Sequence, residues 1–183
     1  MNASSVAEQI RARMATDGAP PLVMEAFLQN VQRWNAGDVG TIPGASLAPL
    51  GRLPRLDELD EFNPAGESAI AQTVIIKLNG GLGTSMGLEG AKSLLPVKDG
   101  LSFLDIIARQ ARHVRIPLVL MNSFSTREES LKVLRNYPDL WGKLPIDFLQ
   151  HKVPKIVQKD LSPATWPKDP ELEWCPPGHG DLY

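Results

Sequence analysis

A single cysteine, Cys175, occurs in 183 residues, so neither an internal disulfide nor a thiolate zinc cluster can hold this chain together. Set beside Pro176 and Pro177, it reads as a bystander and not as a nucleophile. An excess of positive charge is lacking too. The 19 Lys and Arg stand against 21 Asp and Glu, a formal net charge of −2. That excludes a protein that coats nucleic acid through general basicity, and it confines any cation cluster to one place. No apolar run approaches the length of a membrane span. The N-terminal stretch MNASSVAEQIRARMATDG carries Glu8 and Asp17 where a secretory signal would be apolar, so the sequence predicts a cytoplasmic location with no membrane partner. Internal repeats and low-complexity tracts are absent. What remains, 43% hydrophobic and 22% charged, is the composition of an ordinary globular protein, long enough for one sizeable core.

Against that background the segment Val74–Lys92, VIIKLNGGLGTSMGLEGAK, is the most informative. Val74, Ile75 and Ile76 predict a parallel strand buried on both faces, because a continuous apolar run bounded by turn residues suits one. Gly80, Gly81, Gly83 and Gly87 follow. Glycines this dense remove Cβ atoms and let backbone N–H groups approach an anion. Lys92 then brings a full positive charge to the same region. Strand, glycine-rich turn and lysine together make a phosphate-binding device, for which a nucleotide is the expected ligand. A glycine cluster can also merely bend the chain, but a simple bend does not require this many glycines with Thr84 and Ser85 among them. Spacing excludes two familiar devices. A P-loop needs a Lys-Ser or Lys-Thr pair directly after its last glycine, and none follows Gly83 or Gly87. A dinucleotide fingerprint begun at Gly81 and Gly83 would place its third glycine on Met86.

The rest of the chain supplies a frame. Residues 4–15 and 21–35 predict two helices, the second opened by Pro20 and Pro21, with Leu22, Ala26, Val31 and Trp34 as its apolar side. Gly40 to Gly66 reads as a surface connector whose acidic run, Asp57-Glu58-Leu59-Asp60-Glu61, is a solvated face and lacks calcium-loop spacing. Beyond Thr73, strands alternate with helices. Ser102 and Asp105 cap a helix Phe103–His113, and Pro117–Met121 is a second strand. Ser125 with Glu128, or Thr126 with Glu129, forms a capping box for a helix reaching Asn136, and Ile146–Val153 is a third strand. This alternation predicts a parallel α/β sheet with ligands at the C-terminal ends of its strands. After Pro154 the recurring prolines Pro163, Pro167, Pro170, Pro176 and Pro177 predict an extended, irregular tail as far as Gly178.

LNGGLGTSMG with Lys92 in AKSLLPV resembles the signature loop of the eukaryotic-type UTP–glucose-1-phosphate uridylyltransferases, the UDP-glucose pyrophosphorylases. LSFLDIIARQ, IPLVLMNSFST, DFLQHKVPKI around Gln150 and WCPPGHGDLY are similar to further blocks of that family in the same order, from about Thr73 onward. Asn79, Leu82, Ser85 and Met86 follow the glucose-type loop and not that of the related UDP-N-acetylhexosamine enzymes. The resemblance implies an α/β fold, a partial Rossmann-like nucleotidyltransferase (GT-A-like) parallel sheet preceded by N-terminal helices. It divides into residues 1–66, helices and connector, and 67–183, the first part of the nucleotide-binding domain. It implies a reaction of UTP with glucose 1-phosphate to give UDP-glucose and pyrophosphate, with Mg²⁺ as cofactor.

The resemblance also implies roles. Leu78, Asn79, Gly80 and Gly81 would cradle the nucleotide, and Gln150 would pair with the uracil edge through its donor and acceptor. Gly178 would let the base lie against backbone, and His179 would donate to the sugar phosphate. Lys92, the catalytic residue, would neutralise charge on the UTP phosphates. Asp181 reads as a helix N-cap. The family's metal-binding aspartate and a second phosphate-binding lysine belong to later segments, so no metal ligand is expected here. The chain is therefore read as the N-terminal part of a longer enzyme, inactive by itself. A broader UDP-sugar pyrophosphorylase and a non-catalytic uridine-nucleotide-binding remnant are the alternatives.

Overall fold

The computed structural model describes residues 3–38, 40–88 and 90–182. Tyr183, which ends the last block of the resemblance, lies outside the described residues, as does the side chain of Ser85. In chain order come α1 (Ala3–Thr16), α2 (Pro21–Asn35), α3 (Asn63–Ile70), β1 (Ile75–Asn79), β2 (Pro96–Lys98) and β3 (Leu101–Ser102). Then follow α4 (Phe103–Val114), β4 (Leu118–Asn122), α5 (Arg127–Leu134), β5 (Asp147–Leu149), β6 (Val153–Pro154) and β7 (Trp174–Cys175).

The central sheet is parallel, in the order β1-β4-β5. Ile75 lies opposite Leu118 and Asn79 opposite Asn122, while Asn122 also faces Leu149. Parallel neighbours require crossovers, which α4 and α5 provide. The register brings the C-terminal ends of all three strands level, where Asn79, Asn122 and Gln150 leave the sheet. Strand β4, LVLMN, is buried at every position, as a central parallel strand should be. Strand β1 departs from the expectation of burial on both faces, since Ile76 is 43% exposed. It is the end strand of the described sheet, and it packs through Ile75 against the core of Leu104, Ala108, Leu118, Leu120 and Leu134.

Helix α4 buries Leu104, Ala108 and Ala111, one face at helical spacing. Its start is as the sequence predicts. The Asp105 N–H donates to Ser102 Oγ at 3.2 Å and the Ser102 N–H donates to Asp105 Oδ2 at 2.9 Å. Burial pushes the Asp105 carboxyl up, but hydrogen bonds from Ser102 and from the Tyr137 hydroxyl outweigh it and hold the pKa below the usual range. The stabilisation is complete above the ordinary carboxylate range and is lost as pH falls through the lowered folded value. Ser102→Ala is expected to cost about 1 kcal/mol, a drop of roughly 2–4 °C in Tm for a chain this long. An unchanged melting curve would show that the cap carries nothing.

The capping box expected for α5 does not form. Thr126 makes no side-chain cap bond; fully buried, its hydroxyl instead donates to the carbonyl of Asn79 at 2.7 Å. A strand-end carbonyl facing a buried hydroxyl has no water to turn to, so this bond prevails over the cap. The helix also ends at Leu134, short of Asn136.

A second core joins α1 and α2 to β6 and β7 through Ile10, Met14, Leu28, Val31, Val153 and Trp174. The apolar side of α2 is thus Leu28 and Val31, with Leu22 and Trp34 exposed. The tail is not irregular throughout. Trp174 folds back so that Pro154 pairs with it and Val153 with Cys175, and the Lys152 amine sits 4.9 Å from the Trp174 ring. Half-burial raises the Cys175 thiol pKa, consistent with an inert thiol. Helix α3 and the β2–β3 hairpin lie where no element was expected. The hairpin turns at Asp99 and Gly100, both at positive φ, as an Asp-Gly turn favours. No helix among the described residues is long and apolar enough to cross a membrane.

Candidate active site

Strand β1 delivers the glycine-rich loop to the C-terminal edge of the sheet, where the loop doubles back on itself. The Gly83 N–H donates to the Gly90 carbonyl and the Lys92 N–H to the Gly81 carbonyl, each at 3.0 Å, with Leu82 and Ala91 bridged antiparallel. This return fixes the Lys92 backbone beside Gly81 although eleven positions of sequence separate them. The turn between them is tight. A Cβ on Gly83 would lie 2.6 Å from the Cβ of Leu88, closer than two such atoms approach, so the loop needs glycine there.

A cavity of about 330 Å³ opens against this loop. Leu78, Asn79, Gly81, Lys92 and His179, all singled out in the sequence, line it, together with Lys77, Ser93, Phe103 and Ile107, which were not. Gly80 and Gln150 meet beside it. The Gln150 N–H is held by the Asn122 carbonyl at 2.9 Å, and a Cβ on Gly80 would fall 1.9 Å from Gln150 Oε1. That oxygen is buried and has no hydrogen-bond partner among the described residues. A buried carboxamide oxygen without a donor is costly, and a ligand N–H would satisfy it.

Gly178 lies at φ +115°, a conformation that side chains rarely adopt, and starts the turn carrying His179 to the cavity. Asp181 secures this turn, and not as the N-cap expected. Its carboxylate accepts the His151 N–H at 2.6 Å and lies 2.9 Å from His151 Nδ1. Because His151 adjoins Gln150, this bond couples the far turn to the strand end.

Beneath the loop lies a buried polar network. The Asn79 carboxamide donates to Asn122 Oδ1 at 2.8 Å and to Ser130 Oγ at 2.7 Å. Asn122 donates to Asp147 Oδ2 at 3.0 Å, and Arg127 Nε donates to the same oxygen at 2.7 Å. The side-chain amide of Asn79 is therefore engaged inside the protein, so its share of the cavity lining falls to its other atoms. Sequence reasoning missed this network because its members are distant in sequence. Lys77 was detectable, since strand alternation places it on the face of Ile75 and Asn79.

Electrostatically the cavity lining holds, among the described residues, two amines and an imidazole and no carboxylate, which suits an anion. Lys77 is half-buried and desolvation lowers its pKa; its amine donates to the Leu78 carbonyl. Among the described residues no three His, Cys, Asp or Glu side chains converge as metal ligands. A larger cavity of about 470 Å³ lies between α1, α2 and Leu161. It is floored by Val6, Ile10, Leu28 and Val31 and carries Glu8 and Asp160, so it offers an anion neither a glycine loop nor a one-signed lining.

Comparison with known proteins agrees with these observations. The family described as UTP--glucose-1-phosphate uridylyltransferase matches residues 24–183. A probable UTP--glucose-1-phosphate uridylyltransferase of Schizosaccharomyces pombe is 40% identical over 135 residues, covering 69% of this chain and 26% of the relative. The UTP--glucose-1-phosphate uridylyltransferase of Solanum tuberosum is 35% identical over 154 residues, covering 80% and 30%. The chain thus spans under a third of the length of these curated relatives. Among solved structures, a UDP-glucose phosphorylase from Trypanosoma brucei superimposes with a TM-score of 0.82 at 41% identity, covering 98% of this chain and 38% of that one. A mutant UDP-glucose pyrophosphorylase from Leishmania major, in complex with UDP-glucose, gives 0.82 at 37% identity, covering 97% and 38%.

Proposed function

The chain belongs to the UTP–glucose-1-phosphate uridylyltransferase family, and from that premise we propose that it forms the nucleotide-binding part of an enzyme making UDP-glucose and pyrophosphate from UTP and glucose 1-phosphate. In that reaction an oxygen of the sugar phosphate attacks the α-phosphorus of UTP. The new P–O bond forms as the bond to pyrophosphate breaks on the opposite side. The nucleophile is already anionic and needs no general base, so the protein's work is positioning and charge neutralisation.

The observation that carries the reading is the return of the loop, which seats Lys92 beside Gly81 on a cavity that shows no carboxylate among the described residues. Lys92 then offsets phosphate charge as the transition state forms, and His179, on the same cavity, donates to the sugar phosphate. Leu78, Asn79, Gly80 and Gly81 supply close backbone, and Gly178 makes room for the base. The Gln150 Oε1, unpartnered among the described residues beside Gly80, suits the N3–H of uracil, and the same carboxamide's N–H can donate to a uracil carbonyl.

Mg²⁺ belongs to the proposed reaction as the ion that offsets the charge of the nucleotide phosphates. The amines, imidazole and carboxamide around this cavity are poor ligands for so hard a cation, and no step here is routed through it. The cytoplasm, where both substrates would be found, is the proposed location.

Two measurements test this reading. The whole enzyme proposed to contain this chain should release pyrophosphate from UTP and glucose 1-phosphate, and failure to do so under saturating substrates would sink the reaction. Gln150→Ala should weaken UTP by about 1–2 kcal/mol relative to ATP, because a buried partner of the uracil edge is lost. Equal losses for both nucleotides in a competition assay would make Gln150 a structural residue only.

A further inference from the structure

We propose that Lys77 and Ser93 form the floor of a phosphate subsite in the loop cavity, adding a second amine and a hydroxyl to the anion-holding work of Lys92. The inference rests on the nucleotide reading above and assigns two residues that reading does not use. Three independent observations converge on it.

First, strand alternation and the return of the loop bring Lys77, Ser93 and Lys92 onto one cavity, although they come from the strand and from the far limb of the loop. Second, the Ser93 hydroxyl is buried, the residue being only 9% exposed, and it has no hydrogen-bond partner among the described residues. It lines the same cavity. A buried hydroxyl on a cavity-lining residue is left with an unmet donor, and a phosphate oxygen would accept from it once its rotamer turns toward the cavity. Third, Lys77 is half-buried and forms no ion pair with a carboxylate among the described residues; its amine reaches only the neighbouring Leu78 carbonyl. An ammonium drawn partly out of water gains from an anionic partner, because its desolvation is costly. Here desolvation already lowers its pKa. An anion arriving in the cavity would supply the missing partner and favour the charged form.

The carbonyl bond gives the amine a resting position. Because Leu78 lines the cavity as well, the ammonium needs only a rotation of its flexible stem to add a phosphate contact. Phe103 and Ile107 add apolar wall to the cavity, and a low-dielectric wall strengthens the attraction between ammonium and phosphate. Asn79 and Gly81 line the same cavity.

The test is calorimetric binding of UTP and of uridine to the wild-type chain, Lys77→Met, Lys77→Arg and Ser93→Ala. Met keeps the apolar stem and the strand packing while removing the charge. UTP affinity is expected to fall about tenfold in Lys77→Met, the lower end for a hydrogen bond involving a charged group, and severalfold in Ser93→Ala. Uridine affinity should not change, and Lys77→Arg should recover most of the loss. Melting curves of the variants should superimpose on the wild type; should Lys77→Met melt early, Ser93→Ala carries the same comparison. A wild-type chain that binds uridine and UTP, with variants that bind UTP equally well, would overturn the subsite and leave the nucleotide reading standing. Equal losses for UTP and uridine would likewise overturn it, because a general disturbance of the loop does not distinguish the phosphates. A wild-type chain that binds neither ligand would overturn the nucleotide reading, and the subsite with it.

Discussion

Replacing Lys92 by alanine is expected to lower kcat/KM for UDP-glucose formation by roughly two to three orders of magnitude, the usual consequence of deleting one preorganised charge-stabilising donor. The backbone of Lys92 is fixed by its bond to the Gly81 carbonyl, and alanine preserves that bond. The loop should therefore keep its shape, and the loss should appear in kcat more than in KM. Lys92 is exposed along its side chain, so truncation leaves no buried void and the melting temperature should hold. Steady-state kinetics on the enzyme that carries this sequence provide the check. Turnover close to wild type would remove Lys92 from the mechanism, and a parallel collapse of Tm would assign it to the fold.

The largest stability effect is expected at Asp147, which lies at the centre of the network beneath the loop. Its side chain is 4% exposed and accepts from both Asn122 and Arg127. Asp147→Ala removes both acceptors at once. Arg127 is half-exposed and can turn to water, so its loss is small. Asn122 is fully buried and would retain an unpaired N–H, and the vacated volume adds a cavity cost. The sum is about 3 kcal/mol, or roughly 6–12 °C in Tm for a chain of this size. Asn79 depends on Asn122, so nucleotide affinity should fall with stability. Asp147→Asn keeps one acceptor and should recover part of both. A Tm within a degree of wild type for the alanine variant would mean that the network is ornamental.

These two residues also mark what the sequence could and could not disclose. The place of Lys92 on the loop cavity was legible because it is set locally, following a strand and a dense run of glycines within a single segment. The cap of α4 was legible for the same reason, since Ser102 and Asp105 sit three positions apart. Asp147 carried no such mark. Its partners come from β4 and α5, and only the parallel register of β1, β4 and β5 brings them together. The same long range misled the reading of Thr126, whose capping role is displaced by the carbonyl of Asn79 far upstream. Asp181 resembled a cap by its position and proved to be the tie to His151. Burial was misjudged where it depends on neighbours. The run at Val74–Ile76 describes a strand correctly, but whether both faces are covered is decided by what lies beyond β1. In α2 the docking face is fixed by Trp174 and Val153, which no helical periodicity can reveal. Lys77 is an intermediate case, visible from strand alternation yet without meaning until Ser93 and the loop close the cavity around it.

Nucleotide binding can be separated from turnover, and the 183-residue chain can be tested for it directly. The most decisive measurement is a titration of the isotopically labelled chain with UTP, followed residue by residue in amide spectra. The backbone amides of Asn79, Gly80, Gly81, Lys92 and His179 and the side-chain amide of Gln150 are expected to shift together along one saturating curve. Uridine alone should move Gln150 and Gly80 and leave Lys92 largely unmoved. Shifts gathered instead around Val6, Leu28 and Val31 in the cavity between α1 and α2, or no saturable shifts at all, would contradict a uridine nucleotide site at the glycine-rich loop.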